Sequence, residues 1–372
     1  MNNFLRHRKW VLVALVLLMV SAGAAIGEDR IQLAILLDTS NSMDGLIDQA
    51  KSQLWKVVNE LARARRGGKA PALEVALFEY GNDGLPESQG YIRKVSDLTT
   101  DLDRISEELF KLTTDGGSEY CGMVIDSAVQ KLSWSSAKDV LKVIYIAGNE
   151  EFTQGPDPYT AACARAIRKG IIVNTIFCGA FQEGVDGMWK DGALLADGTY
   201  MSIDQDQVVE AVETPFDKDI VRLGNDLNAT YVGYGSEGET LKNRQAAQDS
   251  NAASMGAEAT VQRSVAKAGA AYSNAGWDLL DAVANKSVDL AKMKDDELPN
   301  AMRKMSLPQK EKYVQDLAAH RADIQKKINA ANEKRRVFVA HAVKNAPAKS
   351  TLDEAILASV KDQAQKKGYS IK

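Results

Sequence analysis

The chain has 372 residues, 45% of them hydrophobic and 26% charged, which suits one large globular domain with an additional segment, or two domains. A net charge of −4 and a pI near 5.6 argue against a nucleic-acid binder, because tracking phosphates requires a basic excess. Three cysteines, Cys121, Cys163 and Cys178, are too few for a disulfide-built scaffold but leave room for a single bridge, for which Cys163 and Cys178 are the expected pair.

The N-terminus has the order of a secretory signal peptide. Arg6, Arg8 and Lys9 precede an apolar run from Trp10 to Val20, and the small residues Ser21 to Ala25 follow. An uncleaved membrane anchor is the competing reading, since the stretch extends weakly to Ile26. A spanning helix needs about 20 apolar residues, so cleavage near residue 25 is expected. The mature protein is then periplasmic or secreted, and the membrane enters only through an uncleaved N-terminal segment.

From Ile31 to Ile203 short apolar runs alternate with helical periodicity. Ile31–Leu37, Leu73–Phe78, Val140–Ile146 and Ile171–Phe177 are too short for helices and rich in branched residues, so they predict buried strands. Tyr91–Val95 predicts an edge strand, and Thr199–Ile203 a last one. Between them, Ile47, Ala50, Leu54, Val57 and Leu61 recur at steps of three and four and predict an amphipathic helix. Further helices are marked by Leu102–Leu109, Val124–Leu132 and Asp157–Lys169, the last stopped by Gly170. Alternating strands and helices imply a doubly wound, mostly parallel sheet covered on both faces.

Beyond about Gly235 the strands stop and an α-helical C-terminal region follows, giving a division into a leader at 1–25, a sheet domain at 26–235 and helices at 236–372. Ser306 and Gln309 form a capping box. The helix after it carries Val314, Leu317, Ile324, Ile328, Ala331 and Phe338 on one face, interrupted by Arg321 and Arg335. That narrow stripe predicts a helical hairpin or a coiled-coil contact. Thr351 and Glu354 suggest another capping box, and Gly368 ends the final helix.

The residues that carry chemistry are Asp38-Thr39-Ser40-Asn41-Ser42, directly after the first strand and before the first helix. In an open parallel sheet, ligands bind beyond the carboxyl ends of the strands. A carboxylate and two hydroxyls at alternate positions of a surface loop offer hard oxygens of the kind Mg²⁺ or Mn²⁺ accepts, with room for waters. Helix capping by the same residues is the plainer alternative.

This D-x-S-x-S loop, together with the strand–helix order and the segment Leu194-Leu195-Ala196-Asp197-Gly198-Thr199-Tyr200, resembles the von Willebrand factor type A family over residues 29 to about 210. In that family the loop opens a metal-ion-dependent adhesion site whose serines bind the ion and whose shell an acidic residue of the partner protein often completes. The resemblance implies that Asp38, Ser40 and Ser42 hold a divalent cation. It also implies two further loops. The second usually supplies a threonine, and here Ser118 falls on that position, with Thr114 as an alternative. The third usually supplies an aspartate, but Gly148 stands there, leaving Asn149, Glu150 or a water to provide the oxygen.

Other signals are weak. His7 lies in the leader, while His320 and His341 fall on the helical tail, so a Ser/His or Cys/His nucleophile is unsupported. Gly81-Asn82-Asp83-Gly84 is a turn without a phosphate-loop lysine. Asn228-Ala229-Thr230 matches a glycosylation acceptor, and Trp134, Trp189 and Trp277 are expected in the core. The expectation is an exported, non-enzymatic, metal-dependent protein-binding protein. A structural scaffold with a vestigial metal site, or a metal-assisted hydrolase, are its rivals.

Overall fold

The computed structural model describes residues 29–206, 212–342 and 351–371. The leader and its cleavage point lie outside the described residues. In chain order the first half comprises β1 (Arg30–Asp38), α1 (Asp44–Leu61), β2 (Ala64–Arg65), β3 (Ala72–Tyr80), β4 (Ile92–Thr99), α2 (Leu102–Phe110), α3 (Cys121–Lys131), β5 (Leu141–Gly148), α4 (Tyr159–Arg168), β6 (Ile172–Cys178), α5 (Phe181–Asp186), α6 (Trp189–Leu195) and β7 (Tyr200–Ile203). The second half comprises α7 (Asp217–Asn228), α8 (Gly238–Ser254), α9 (Ala257–Ala268), α10 (Leu279–Ala284), α11 (Leu307–Ala342), α12 (Leu352–Lys366) and β8 (Ser370–Ile371).

Six strands form one sheet in the order β4-β3-β1-β5-β6-β7, parallel except for the edge strand β4. β1 is central, and side chains alternate between the faces of a strand. Ile31, Leu33 and Leu37 therefore face α1, whereas Ala34 and Leu36 face the opposite layer containing Val124, Ile125 and Ala162. Burial on both sides explains why these strands read as continuous apolar runs.

The final helix packs on the sheet, across the division expected at residue 235. Leu352, Ile356, Val360 and Ala364, spaced one turn apart, pack into the same core as α1 and β1. Tyr145 of β5 donates to the Ile356 carbonyl at 3.1 Å, and Asn174 of β6 pairs with Gln363. β8 then pairs with β2. Helices α7 to α11 are thus inserted between the last strand of the large sheet and a helix that covers it. A local pattern announces a helix but not the surface on which it packs.

Within the insertion α11 packs against both α7 and α9, with Ile324 and Ile328 among Ile220, Leu227, Val261 and Trp277. This is a three-helix contact, not the expected hairpin. Arg321 and Arg335 do not interrupt the stripe: both are buried within it. Arg321 reaches Asp278 at 2.6 Å and lies over the Tyr231 ring, and Arg335 pairs with Asp217 and Glu258. A guanidinium tolerates burial when its donors are met by carboxylates and an aromatic face.

Gln309 accepts the Ser306 N–H at 2.8 Å, as a capping box requires, whereas the Thr351 side chain does not cap α12 and its hydroxyl donates to Asp353. Cys163 and Cys178 are free and lie in cores on opposite faces of the sheet, because Cys178 alternates to the α1 side. The side chain of Asn228 is engaged by Asp249 and Lys267, and Thr230 is buried, so this tripeptide serves internal packing. Trp189 and Trp277 are buried as expected, and His320 and His341 are exposed. No described helix is long and apolar enough to cross a membrane.

Candidate metal centre at the carboxyl edge of the sheet

Strand register builds the site. Asp38 ends β1 directly opposite Tyr80 of β3, and the β1–β5 register, which pairs Leu37 with Ala147, brings Gly148 to its other side. Asp38 and Ser40 are buried, and only Asn41 and Ser42 of the loop are exposed, so the loop is more enclosed than a surface reading suggests. Asp38 Oδ1 accepts the Ser40 N–H at 2.8 Å, which folds the loop back on itself. The Ser40 and Ser42 hydroxyls lie 3.2 Å apart. Neither caps the turn at Asn41–Met43 or helix α1, so the capping alternative does not account for them.

Neighbouring loops are stitched to this one. Asn41 N–H donates to the Gly116 carbonyl, Asp115 N–H to the Thr39 carbonyl, and the Gln205 amide to the Ser42 carbonyl. Asn149 meets Ser42 through its amide, at 3.1 Å from Nδ2 and 3.4 Å from Oδ1. Glu150 is exposed, and its carbonyl accepts the indole N–H of buried Trp189 at 2.7 Å. Ser118 lies within reach of the Tyr91 hydroxyl, and Thr114 donates to Asp44. The structure therefore gathers Asp38, Ser40, Ser42 and Asn149, sets the Glu150 charge nearby, and turns Ser118 toward Tyr91.

Tyr80 accounts for the glycine at 148. A Cβ on that residue would lie 2.4 Å from Tyr80 Oη and 2.9 Å from Asp38 Oδ2. The phenol is held there by its hydrogen bond to the Ala147 carbonyl at 3.0 Å. An aspartate at 148 has no room beside this tyrosine.

Glu119 is the residue that sequence reasoning missed. It directly follows Ser118 and is only 2% exposed, with its carboxyl within hydrogen-bonding reach of Asp38 and Ser40. Burial pushes Glu119 up to about 10, reinforced by Asp38, and burial likewise pushes Asp38 up to about 6. Two buried carboxyls this close call for a proton or a cation between them. Asp38 Oδ2 and Glu119 Oε2 are both buried without a hydrogen-bond partner. Such orphaned carboxylate oxygens are costly unless a proton or cation meets them.

The donor set fits a hard divalent cation: carboxylate, hydroxyl and amide oxygens converge, and two buried oxygens lack partners. Among the described residues no group of three or more His, Cys, Asp or Glu is placed to hold a metal. A cation here would accordingly draw on serine and asparagine oxygens as well.

Residues 32–186 match the family model of the von Willebrand factor type A domain. This segment is a von Willebrand factor type A domain. Solved structures similar to part of the chain include the conserved hypothetical protein BatB from Bacteroides thetaiotaomicron, at 18% identity and a TM-score of 0.35, covering 47% of this chain and 90% of that one. The SpRpn10 VWA domain is similar at 16% identity and a TM-score of 0.35, covering 49% and 100%. An aerotolerance-related membrane protein from Bacteroides fragilis is similar at 18% identity and a TM-score of 0.32, covering 47% and 92%. No curated protein sequence matches the chain. The matched segment ends before β7, and α12 packs against the sheet from beyond the insertion.

Proposed function

We propose that this is an exported, non-enzymatic protein-binding protein whose type A domain captures its partner through a divalent cation, Mg²⁺ or Mn²⁺, at Asp38, Ser40, Ser42 and Asn149. The observation that carries the reading is the unpartnered Oδ2 of Asp38, buried at the carboxyl end of the central strand beside two hydroxyls that cap nothing. Exposed Ser42 marks the side from which an acidic residue of a partner protein completes the shell. Glu150 adds charge through space. Binding of cation and partner is then reciprocal, each raising the affinity for the other by the same factor.

A thiol nucleophile finds no support in the state of the cysteines. All three are buried, and burial raises each above the ordinary thiol range, Cys163 to about 12. A thiol kept protonated is a poor nucleophile. The scaffold alternative, with a vestigial metal site, draws on Tyr80 filling the space beside Gly148. Titration of the full exported chain with Mn²⁺, followed by calorimetry, separates the two. The proposal expects one ion per chain and no binding by Asp38→Ala; a wild type that binds no ion leaves the scaffold.

A further inference from the structure

We propose that Glu119 supplies the second carboxylate of the cation site, in place of the third-loop residue that Gly148 cannot provide. This rests on the reading of Asp38, Ser40 and Ser42 as a divalent-cation loop and adds a ligand to it.

Three geometric observations converge on Glu119. Its Oε2 and the Oδ2 of Asp38 are both buried without partners, although the two carboxyl groups are neighbours. Gly81, at φ +79°, lies against both: a Cβ there would stand 2.8 Å from Asp38 Oδ1 and 2.8 Å from Glu119 Cγ. A side chain at 81 would thus press on both carboxylates. On the opposite flank Tyr80 Oη blocks the approach from residue 148. The space next to Asp38 is therefore reached by a carboxylate from the second loop and closed to one from the third.

The backbone fixes Glu119 in this position. Its N–H donates to the Gln154 side-chain oxygen, and Cys121 at the start of α3 takes its carbonyl at 3.1 Å. Two like charges buried side by side repel unless a proton or a cation lies between them. A hard divalent cation bound by Asp38, Glu119 and Ser40 satisfies both orphaned oxygens and is neutralised before any partner arrives. The ion then binds the free protein more tightly than a single-carboxylate loop would hold it.

The test is Mn²⁺ affinity of the full exported chain, measured by calorimetry and by loss of the free-ion electron paramagnetic resonance signal. Wild type is compared with Glu119→Gln, Glu119→Asp and Ser42→Ala. Glu119→Gln keeps the shape, and its amide donates to Asp38, so its melting temperature in EDTA should match or exceed that of wild type. Its Mn²⁺ affinity should fall by at least about tenfold, with Glu119→Asp falling less because the charge is kept. If Ser42→Ala weakens binding but Glu119→Gln binds as wild type does, Glu119 is no ligand and the loop reading stands. If wild type itself binds no Mn²⁺, the loop reading fails and takes this one with it.

Discussion

Arg263 Nη1 lies 2.6 Å from Asp103 Oδ1, and neither side chain is more than 2% exposed. Arg263 belongs to α9 of the insertion and Asp103 to α2 of the sheet domain, so a buried ion pair joins the two. The guanidinium is stacked 4.3 Å from the Trp55 ring and 5.1 Å from that of Tyr272, whose hydroxyl donates to Asp103 at 2.6 Å. Asp249 also reaches Arg263, at 2.7 Å, so Asp103→Ala leaves the guanidinium paired, whereas removing Arg263 leaves Asp103 buried without a countercharge, which typically costs about 3–5 kcal/mol. Arg263→Ala should lower the stability measured in urea by about that amount, whereas truncating Arg222, an exposed residue of α7 with exposed partners, should change it by less than about 1 kcal/mol.

The same network sets a pH dependence. Burial alone would raise the Asp249 carboxyl, but Arg263 and Lys267 outweigh it and hold the group below its usual range. The folded state therefore binds this proton more weakly than the unfolded chain does. Its contribution is present above the unfolded pKa of about 3.9 and is lost as pH falls through the lower folded value. Urea midpoints measured downward from pH 5 should drop, and Asp249→Asn should flatten the part of that slope due to this group.

Helix α12 should be indispensable to a sheet whose last strand already ends at Ile203. Leu352, Ile356 and Val360 are each at most 4% exposed in the core under α1. Burying each such side chain is worth about 1.5–3 kcal/mol, which together is comparable with a domain's whole stability of about 5–15 kcal/mol. A chain ending at residue 342 should expose this face and bind a hydrophobic dye, with loss of cooperative melting. A truncated chain that melts like the full one would show that α12 is an accessory element.

The sheet was legible in the sequence because its four buried strands are short branched runs, as in Leu73–Phe78 and Ile171–Phe177. The D-x-S-x-S loop was legible because its spacing coincides with the end of β1. Glu119 was not, because nothing local distinguishes a buried carboxylate in a glycine-rich loop from a solvated one; its burial depends on the neighbouring strands. Arg321 and Arg335 were misread for a related reason: a charge at a core position looks like an interruption until its carboxylate partners, Asp278 and Asp217, are brought in from distant elements. The cysteine pair failed on strand alternation, which sends Cys178 to the face away from Cys163.

The central claim is that the cation at Asp38 mediates partner capture. The direct measurement is a pull-down from native extract with immobilised wild type, Asp38→Ala, and wild type in EDTA, with circular dichroism to establish that the variant is folded. The account predicts partners that wild type recovers and that both Asp38→Ala and chelation lose, with Ser42→Ala recovering them weakly. Equal recovery of the same partners in all three arms would contradict it.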